Sequence, residues 1–255
     1  MSLLKVHNLS KRFAGLQAVD DVSFSVDHNQ VFGIIGPNGA GKSTTFNLIM
    51  GNVIPDQGQV IFDGNDVVGE KTHKITLKGL GRTFQDATLF PGASVLDNIL
   101  TAKFGRIAPT FAGTLWRAYK TPGILQKEKE KAFEILRFVG LENYSDELAS
   151  NLDHGHQGLV QLAIALATEP KLLMLDEPLR GMNPTEKEQV SDLIIKIKKT
   201  GISVLIIEHD VKSIMKICDR IAVINYGKKI SEGSPLEIKS DKRVIEAYLG
   251  SDESA

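Results

Sequence analysis

Gly36-Pro37-Asn38-Gly39-Ala40-Gly41-Lys42-Ser43-Thr44 follows the apolar run Val31-Phe32-Gly33-Ile34-Ile35. The nine residues fit the P-loop pattern G-x-x-x-x-G-K-[ST] in the context it requires, a short buried strand before and a helix, Ser43 to Met50, after. Gly36, Gly39 and Gly41 lack the Cβ that would stop the backbone wrapping an anion, so successive N–H groups can converge on phosphate oxygens at the positive end of the helix. Lys42 can then reach the β- and γ-phosphates and the Ser43 hydroxyl can ligate Mg²⁺. The stretch predicts a nucleoside triphosphate site in an α/β protein.

Downstream, Leu172-Leu173-Met174-Leu175-Asp176-Glu177 is an apolar run ending in two carboxylates. A buried parallel strand delivers such acids to the edge of an open sheet where ligands bind. Asp176 is expected on the Mg²⁺ side, and Glu177, pointing differently, can polarise an attacking water. A third strand, Ile202 to Ile207, runs into Glu208-His209-Asp210, so that His209 can donate to a γ-phosphate oxygen from the same edge.

Composition limits the classes available. With 255 residues, 42% of them hydrophobic and 24% charged, the chain suits one substantial core or two unequal lobes. Thirty basic against 31 acidic side chains, a net charge of −1, argue against a general nucleic-acid surface. Cys218 is the single cysteine, cannot form an internal disulfide, and reads as a small core residue of a cytoplasmic chain. The N-terminus lacks the apolar region of a signal peptide, and runs such as Val204 to Ile207 are far shorter than a membrane span needs.

In chain order, Leu3 to Leu9 and Val22 to Val26 alternate as half-buried strands, and Gln59 to Phe62 continues that character, an antiparallel piece beside the P-loop strand. Phe13, between the first two strands, could stack on an adenine ring, although the residues alone favour a core phenylalanine. From Asp86 to Gln157 the pattern turns helical, with Val95 to Lys103 and Gln126 to Val139 as helices. The second is apolar at Ala132, Phe133, Ile135, Leu136 and Val139. Trp116 and Tyr119 fall in a segment, Phe104 to Gly123, whose aromatics are either a small packed cluster or a contact surface. Gln157 to Thr168 reads as a long apolar helix, Asn183-Pro184 as the cap and first turn of another, and Asn225 to Lys228 as a hairpin tip. His7, His28 and His73 read as solvated surface residues.

The whole chain resembles the nucleotide-binding subunit of an ATP-binding cassette (ABC) transporter, most closely the branched-chain amino acid importer subunits of the LivG type. The residues that carry the resemblance are the P-loop, Arg82-Thr83-Phe84-Gln85 as the Q-loop, Leu172 to Glu177 as the Walker B strand, Gly181 to Glu186 as the D-loop region, Ile207 to Asp210 as the H-switch, and the ending Val244 to Gly250. It implies a P-loop NTPase cassette with a RecA-like core (1–85 and 158–255), an N-terminal antiparallel β piece and a helical subdomain (86–157). It implies ATP and Mg²⁺ as cofactors, with Phe13 stacking on adenine, Gln85 contacting metal and water, Glu177 as base and His209 as γ-phosphate sensor. Implied partners are ABC transmembrane permease subunits at the cytoplasmic face of the membrane and a second ATPase subunit, in a homodimer or a LivF-like heterodimer. A periplasmic or extracellular binding protein takes part indirectly, and nucleic acid is not a partner.

The signature motif departs from the family. Leu152-Asp153-His154-Gly155-His156 stands in place of the usual Leu-Ser-Gly-Gly-Gln, Gly158, Leu159 and Ile164 replace customary basic residues, and Arg180 replaces a small one. Asp153 and Gly155 still occupy the positions that meet the second ATP. A serine hydroxyl donates to a γ-phosphate, whereas an ionised carboxylate only accepts. The resemblance therefore leaves three expectations: an importer ATPase for branched-chain amino acids, a regulatory or weakly active cassette, and a cassette serving other cargo such as urea, amides or lipopolysaccharide export. A soluble mechanoenzyme on nucleic acid or ribosomes usually carries two cassettes in one chain or a long coiled coil, and neither is present in this sequence.

Overall fold

Strand β3 (Val31–Ile35) is buried at every residue, as are β7 (Leu172–Asp176) and β8 (Ser203–Ile207), which is why β3 reads as an unbroken apolar run and the other two as apolar runs with one polar end residue. The computed structural model describes residues 2–83, 89–107 and 123–249. The chain divides into two units, Met1–Leu80 with Lys171–Ala255, and Gly81–Pro170.

In the first unit β3 pairs in parallel with β8 and with β9 (Arg220–Asn225), and β8 with β7. Antiparallel β10 (Lys228–Gly233) closes one edge beyond β9, giving the order β10-β9-β3-β8-β7 within this unit, and the short β6 (Leu80–Arg82) begins in this unit and runs into the second. A separate antiparallel sheet has the order β2-β1-β4-β5, from β1 (Ser2–Phe13), β2 (Leu16–Asp27), β4 (Gln57–Phe62) and β5 (Asn65–Asp66). Helices α1 (Lys42–Ile49) and α2 (Thr72–Leu77) follow β3 and β5. The core joins both sheets through Leu4, Val6, Phe24, Phe32, Phe46, Phe62 and Leu205. Phe24 and Phe32 stack with ring centroids 5.3 Å apart. Gly33 is required by its neighbour, since a Cβ there would stand 2.9 Å from the Cys218 sulfur. Cys218 is buried, as the sequence reading expects, and burial pushes its thiol well above the usual range.

In the second unit α3 (Val95–Ile107), α4 (Ile124–Val139) and α5 (His154–Ala167) pack on one another around Ile99, Ala132, Leu136, Val160 and Ala163. Phe133, expected on the apolar face of α4, is exposed instead. Buried Lys103 is paired with Glu128 at 3.1 Å. The unit boundaries differ from those expected: α5 belongs whole to the helical unit, which runs on to Pro170, because its buried face packs on α3 and α4. Helix α5 also starts ahead of Gln157, because Asp153 caps it and accepts from the His156 N–H at 2.9 Å.

Helices α6 (Pro184–Lys199), α7 (Val211–Ile217), α8 (Pro235–Ser240) and α9 (Lys242–Leu249) complete the first unit. Asn183 forms a capping box with Glu186, and Asp210 caps α7. His7, His28 and His73 are all exposed. Phe84, Gln85, Trp116, Tyr119 and the C-terminal tail lie outside the described residues. Among the described residues, no helix is long and apolar enough to cross a membrane.

Candidate functional site

Three strand ends converge where the loop after β3 turns into α1. A Cβ on Gly36 would stand 1.9 Å from the Ile224 carbonyl oxygen of β9, and one on Gly41 would stand 2.3 Å from the Ala18 oxygen of β2, so the loop can lie this close to both strands only with glycine there. Gly41 is also the left-handed N-cap of α1, and the N–H of Thr45 returns to its carbonyl at 2.9 Å. The first turn of α1 has no acidic residue to compete for an anion.

Lys42 is buried, and its ammonium donates to the carbonyls of Gly36 at 2.7 Å and Pro37 at 2.9 Å. Burial lowers its pKa, and the carboxylates of Glu177 and Asp176 act in the opposite sense. The positive charge of Lys42 thus lies within the field of both acids. A cavity of about 560 Å³ opens over this loop, lined by Phe13, Leu16, residues of the loop, Glu177 and Tyr226. Its size suits a nucleotide.

Asp176 ends β7 as a buried residue, and Glu177 follows at φ 50. That left-handed backbone, uncommon for a residue with a side chain, turns Glu177 away from the strand line and into the cavity wall. Glu177 Oε1 lies 3.4 Å from His209 Nδ1 and its Oε2 lies 3.5 Å from the Arg180 guanidinium. Asp176, Glu177 and His209 therefore stand together at the ends of the neighbouring strands β7 and β8. The donor set fits a hard cation that arrives with phosphate: a hydroxyl on Ser43 and a carboxylate on Asp176 are oxygen ligands of the kind Mg²⁺ takes. Among the described residues no cluster of three His, Cys, Asp or Glu side chains is placed to hold a metal by itself.

Phe13 corrects the residue-based expectation of a core phenylalanine: it is 45% exposed at the cavity. The Lys11 ammonium sits 5.7 Å from its ring centroid and pairs with Asp56 at 2.7 Å. In the helical unit, Asp153 also takes the His156 imidazole on its second oxygen at 2.7 Å, and Tyr144 packs on the same ring with centroids 4.6 Å apart. The backbone N–H and the side chain of His156 hold the Asp153 carboxyl below its ordinary range, so it is an anion at neutral pH. Gly155 lies in the first turn of this helix.

Glu208 and Tyr226 were not singled out by sequence reasoning. Glu208 is fully buried and accepts from the Leu179 N–H at 2.7 Å and the His209 N–H at 3.1 Å, tying the segment after Glu177 to His209. Burial raises its pKa against those two donors. A carboxylate placed directly after the apolar run Val204-Leu205-Ile206-Ile207 is the available signal. Replacing Glu208 with Ala strands the buried N–H of Leu179 and frees the part-buried N–H of His209, at an expected cost of about 1–3 kcal/mol for the first and less for the second. Glu208→Gln keeps one acceptor oxygen and costs less, which urea unfolding midpoints measure; identical midpoints for the three proteins would refute this.

The ABC transporter family model matches residues 19–180, and the model described as branched-chain amino acid ATP-binding cassette transporter matches residues 228–254. The chain is 39% identical to the high-affinity branched-chain amino acid transport ATP-binding protein BraF of Pseudomonas aeruginosa, over 97% of this chain and 98% of the relative. It is 34% identical to the lipopolysaccharide export system ATP-binding protein LptB of Haemophilus influenzae, over 98% of each. The crystal structure of the ADP conformation of MJ1267, an ATP-binding cassette of an ABC transporter, superposes with a TM-score of 0.85 at 34% identity, covering 98% of this chain and 99% of that one. A P-loop, two acids and a histidine at one sheet edge, in a chain matched along its length in this way, place the protein in the ABC transporter family as one of its ATP-binding cassettes, an ATPase.

Proposed function

We propose that this cassette energises import of branched-chain amino acids through membrane permease subunits, from the cytoplasmic face and in a dimer with a second copy or a LivF-like subunit, with a binding protein supplying the cargo. The observation that carries the ATPase half is the cavity in which Lys42, Glu177 and the P-loop backbone meet. The cargo rests on the C-terminal match over 228–254 and on the names of the relatives. Lipopolysaccharide export is the second reading, since LptB is nearly as similar.

In this reading the loop 36–44 cradles the phosphates, Phe13 stacks on adenine, Ser43, Asp176 and Gln85 hold Mg²⁺, and Asp153 and Gly155 face the partner's nucleotide. Bound Mg²⁺ would neutralise charge on the phosphate oxygens. Glu177 takes a proton from the attacking water, and His209, whose Nδ1 lies 3.4 Å from Glu177 Oε1, senses the γ-phosphate. Arg180, 3.5 Å from the other oxygen, places a guanidinium beside that base. The test is steady-state ATP hydrolysis by the purified chain, then uptake of leucine, isoleucine and valine by vesicles carrying its permease. Turnover that requires Mg²⁺ and stops with a chelator is expected, together with ATP-dependent uptake. ATP-dependent transport of some other solute, without uptake of these three, would overturn the cargo and keep the engine.

A further inference from the structure

We propose that Tyr226 is a second aromatic contact for the nucleotide base, acting beside Phe13 in the same cavity. The proposal rests on the reading of Phe13 as the base-stacking residue. Tyr226 and Phe13 both line the cavity above the P-loop, and Tyr226 is 88% exposed there. An aromatic ring left open to water at the mouth of a binding cavity is apolar area that a planar base can cover.

The tip that carries this ring is not a loose loop. Between β9 and β10, the Gly227 N–H donates to the Ala40 carbonyl of the P-loop at 2.9 Å, and the Gly227 carbonyl accepts from the Asp20 N–H of β2 at 2.8 Å. The Lys228 ammonium adds a contact to the Asp20 carboxylate at 3.2 Å. Tyr226 is therefore mounted on the frame that positions the phosphates. It stands at φ 45, where glycine or asparagine is at home and an aromatic residue is uncommon.

Phe13 gives an independent reason for a second ring. Lys11 lies over the Phe13 ring and is itself held by Asp56, so Phe13 has only its other face to offer a base. Tyr226 supplies aromatic surface that Phe13 alone cannot. Every base has a π-face, so this contact strengthens affinity for purine nucleotides in general and does not choose among them.

The experiment compares equilibrium binding of a non-hydrolysable ATP analogue and of inorganic tripolyphosphate by the full chain and by Tyr226→Gly, Tyr226→Phe and Phe13→Ala variants. Glycine is unstrained at φ 45, so Tyr226→Gly removes the ring and keeps the turn. The expected result is a loss of about fivefold or more in affinity for the analogue, unchanged affinity for tripolyphosphate, and restoration by Tyr226→Phe. An unchanged affinity in Tyr226→Gly overturns the proposal, and so does an equal loss for tripolyphosphate, which would mean that the turn acts through the P-loop. Failure of Tyr226→Phe to restore binding overturns stacking in favour of the hydroxyl. If Phe13→Ala weakens the analogue and Tyr226→Gly does not, only the Tyr226 contact falls. If neither does, the assignment of the base to this end of the cavity falls with it.

Discussion

Replacing Glu177 with Gln lowers steady-state ATP hydrolysis by about 10²- to 10⁴-fold while ATP still binds, the range over which a positioned general base contributes. Gln fills the same volume and keeps a carbonyl oxygen, but it cannot accept a proton from water. Its surroundings explain why the carboxylate is poised for that step: the backbone at φ 50 brings it to the cavity wall, His209 stands 3.4 Å from one oxygen and Arg180 stands 3.5 Å from the other. In the proposed reading binding survives, because Lys42 and the glycine loop form the phosphate cradle, the exchange leaves them intact, and Asp176 still supports the charge of Lys42. Turnover by Glu177→Gln equal to that of the parent would remove Glu177 from the role of base.

Replacing Asp153 with serine is expected to raise turnover about tenfold and to strengthen ATP-dependent dimerisation. Two unit charges about 4 Å apart repel by roughly 4 kcal/mol at an effective dielectric of about 20. Asp153 is 67% exposed, and His156 lies 2.7 Å from its carboxylate, so only part of that repulsion remains; a tenfold effect corresponds to about 1.4 kcal/mol. Asp153 accepts from the N–H of His156 at 2.9 Å as the cap of α5, a bond that a serine cap also makes, so the exchange leaves that donor engaged. Protonation gives no relief near neutral pH, because the same contacts keep the carboxyl ionised. Serine caps a helix about as well as aspartate, so the exchange tests charge and not folding. ATP hydrolysis and dimerisation by Asp153→Ser that match the parent would show the carboxylate to be harmless.

What could be read beforehand follows the strength of the local signal. Strands β3, β7 and β8 are buried on both faces and announce themselves as apolar runs, and Asn183-Pro184 marks the start of α6 by cap chemistry alone. Helix α2 and strand β6, six and three residues long, carry too few turns or alternations to show a period. The first turn of helix α5, His154-Gly155-His156, has no apolar residue, so the apolar pattern starts only after it and Asp153 is the sole local mark of the helix start. At the site, the P-loop and the two acids are contiguous patterns and were legible. Phe13 was not, since an isolated aromatic between two strands suits a core equally well until β1 and β2 show it facing the cavity. Glu208 and Tyr226 acquire meaning only through partners distant in sequence, Leu179 for the first and Ala40, through Gly227, for the second.

The tight fit of Cys218 against Gly33 has a practical consequence. The chain's one thiol is buried in the first unit and its proton is held by burial, so the thiolate that alkylating reagents attack is scarce while the core stays shut. A cysteine introduced on the surface would thus be the one readily labelled position, and dyes or cross-linkers could be attached without first stripping the native sulfur. The native thiol keeps a use of its own: the pace at which it is modified is a clock for the opening of the parallel sheet around β3.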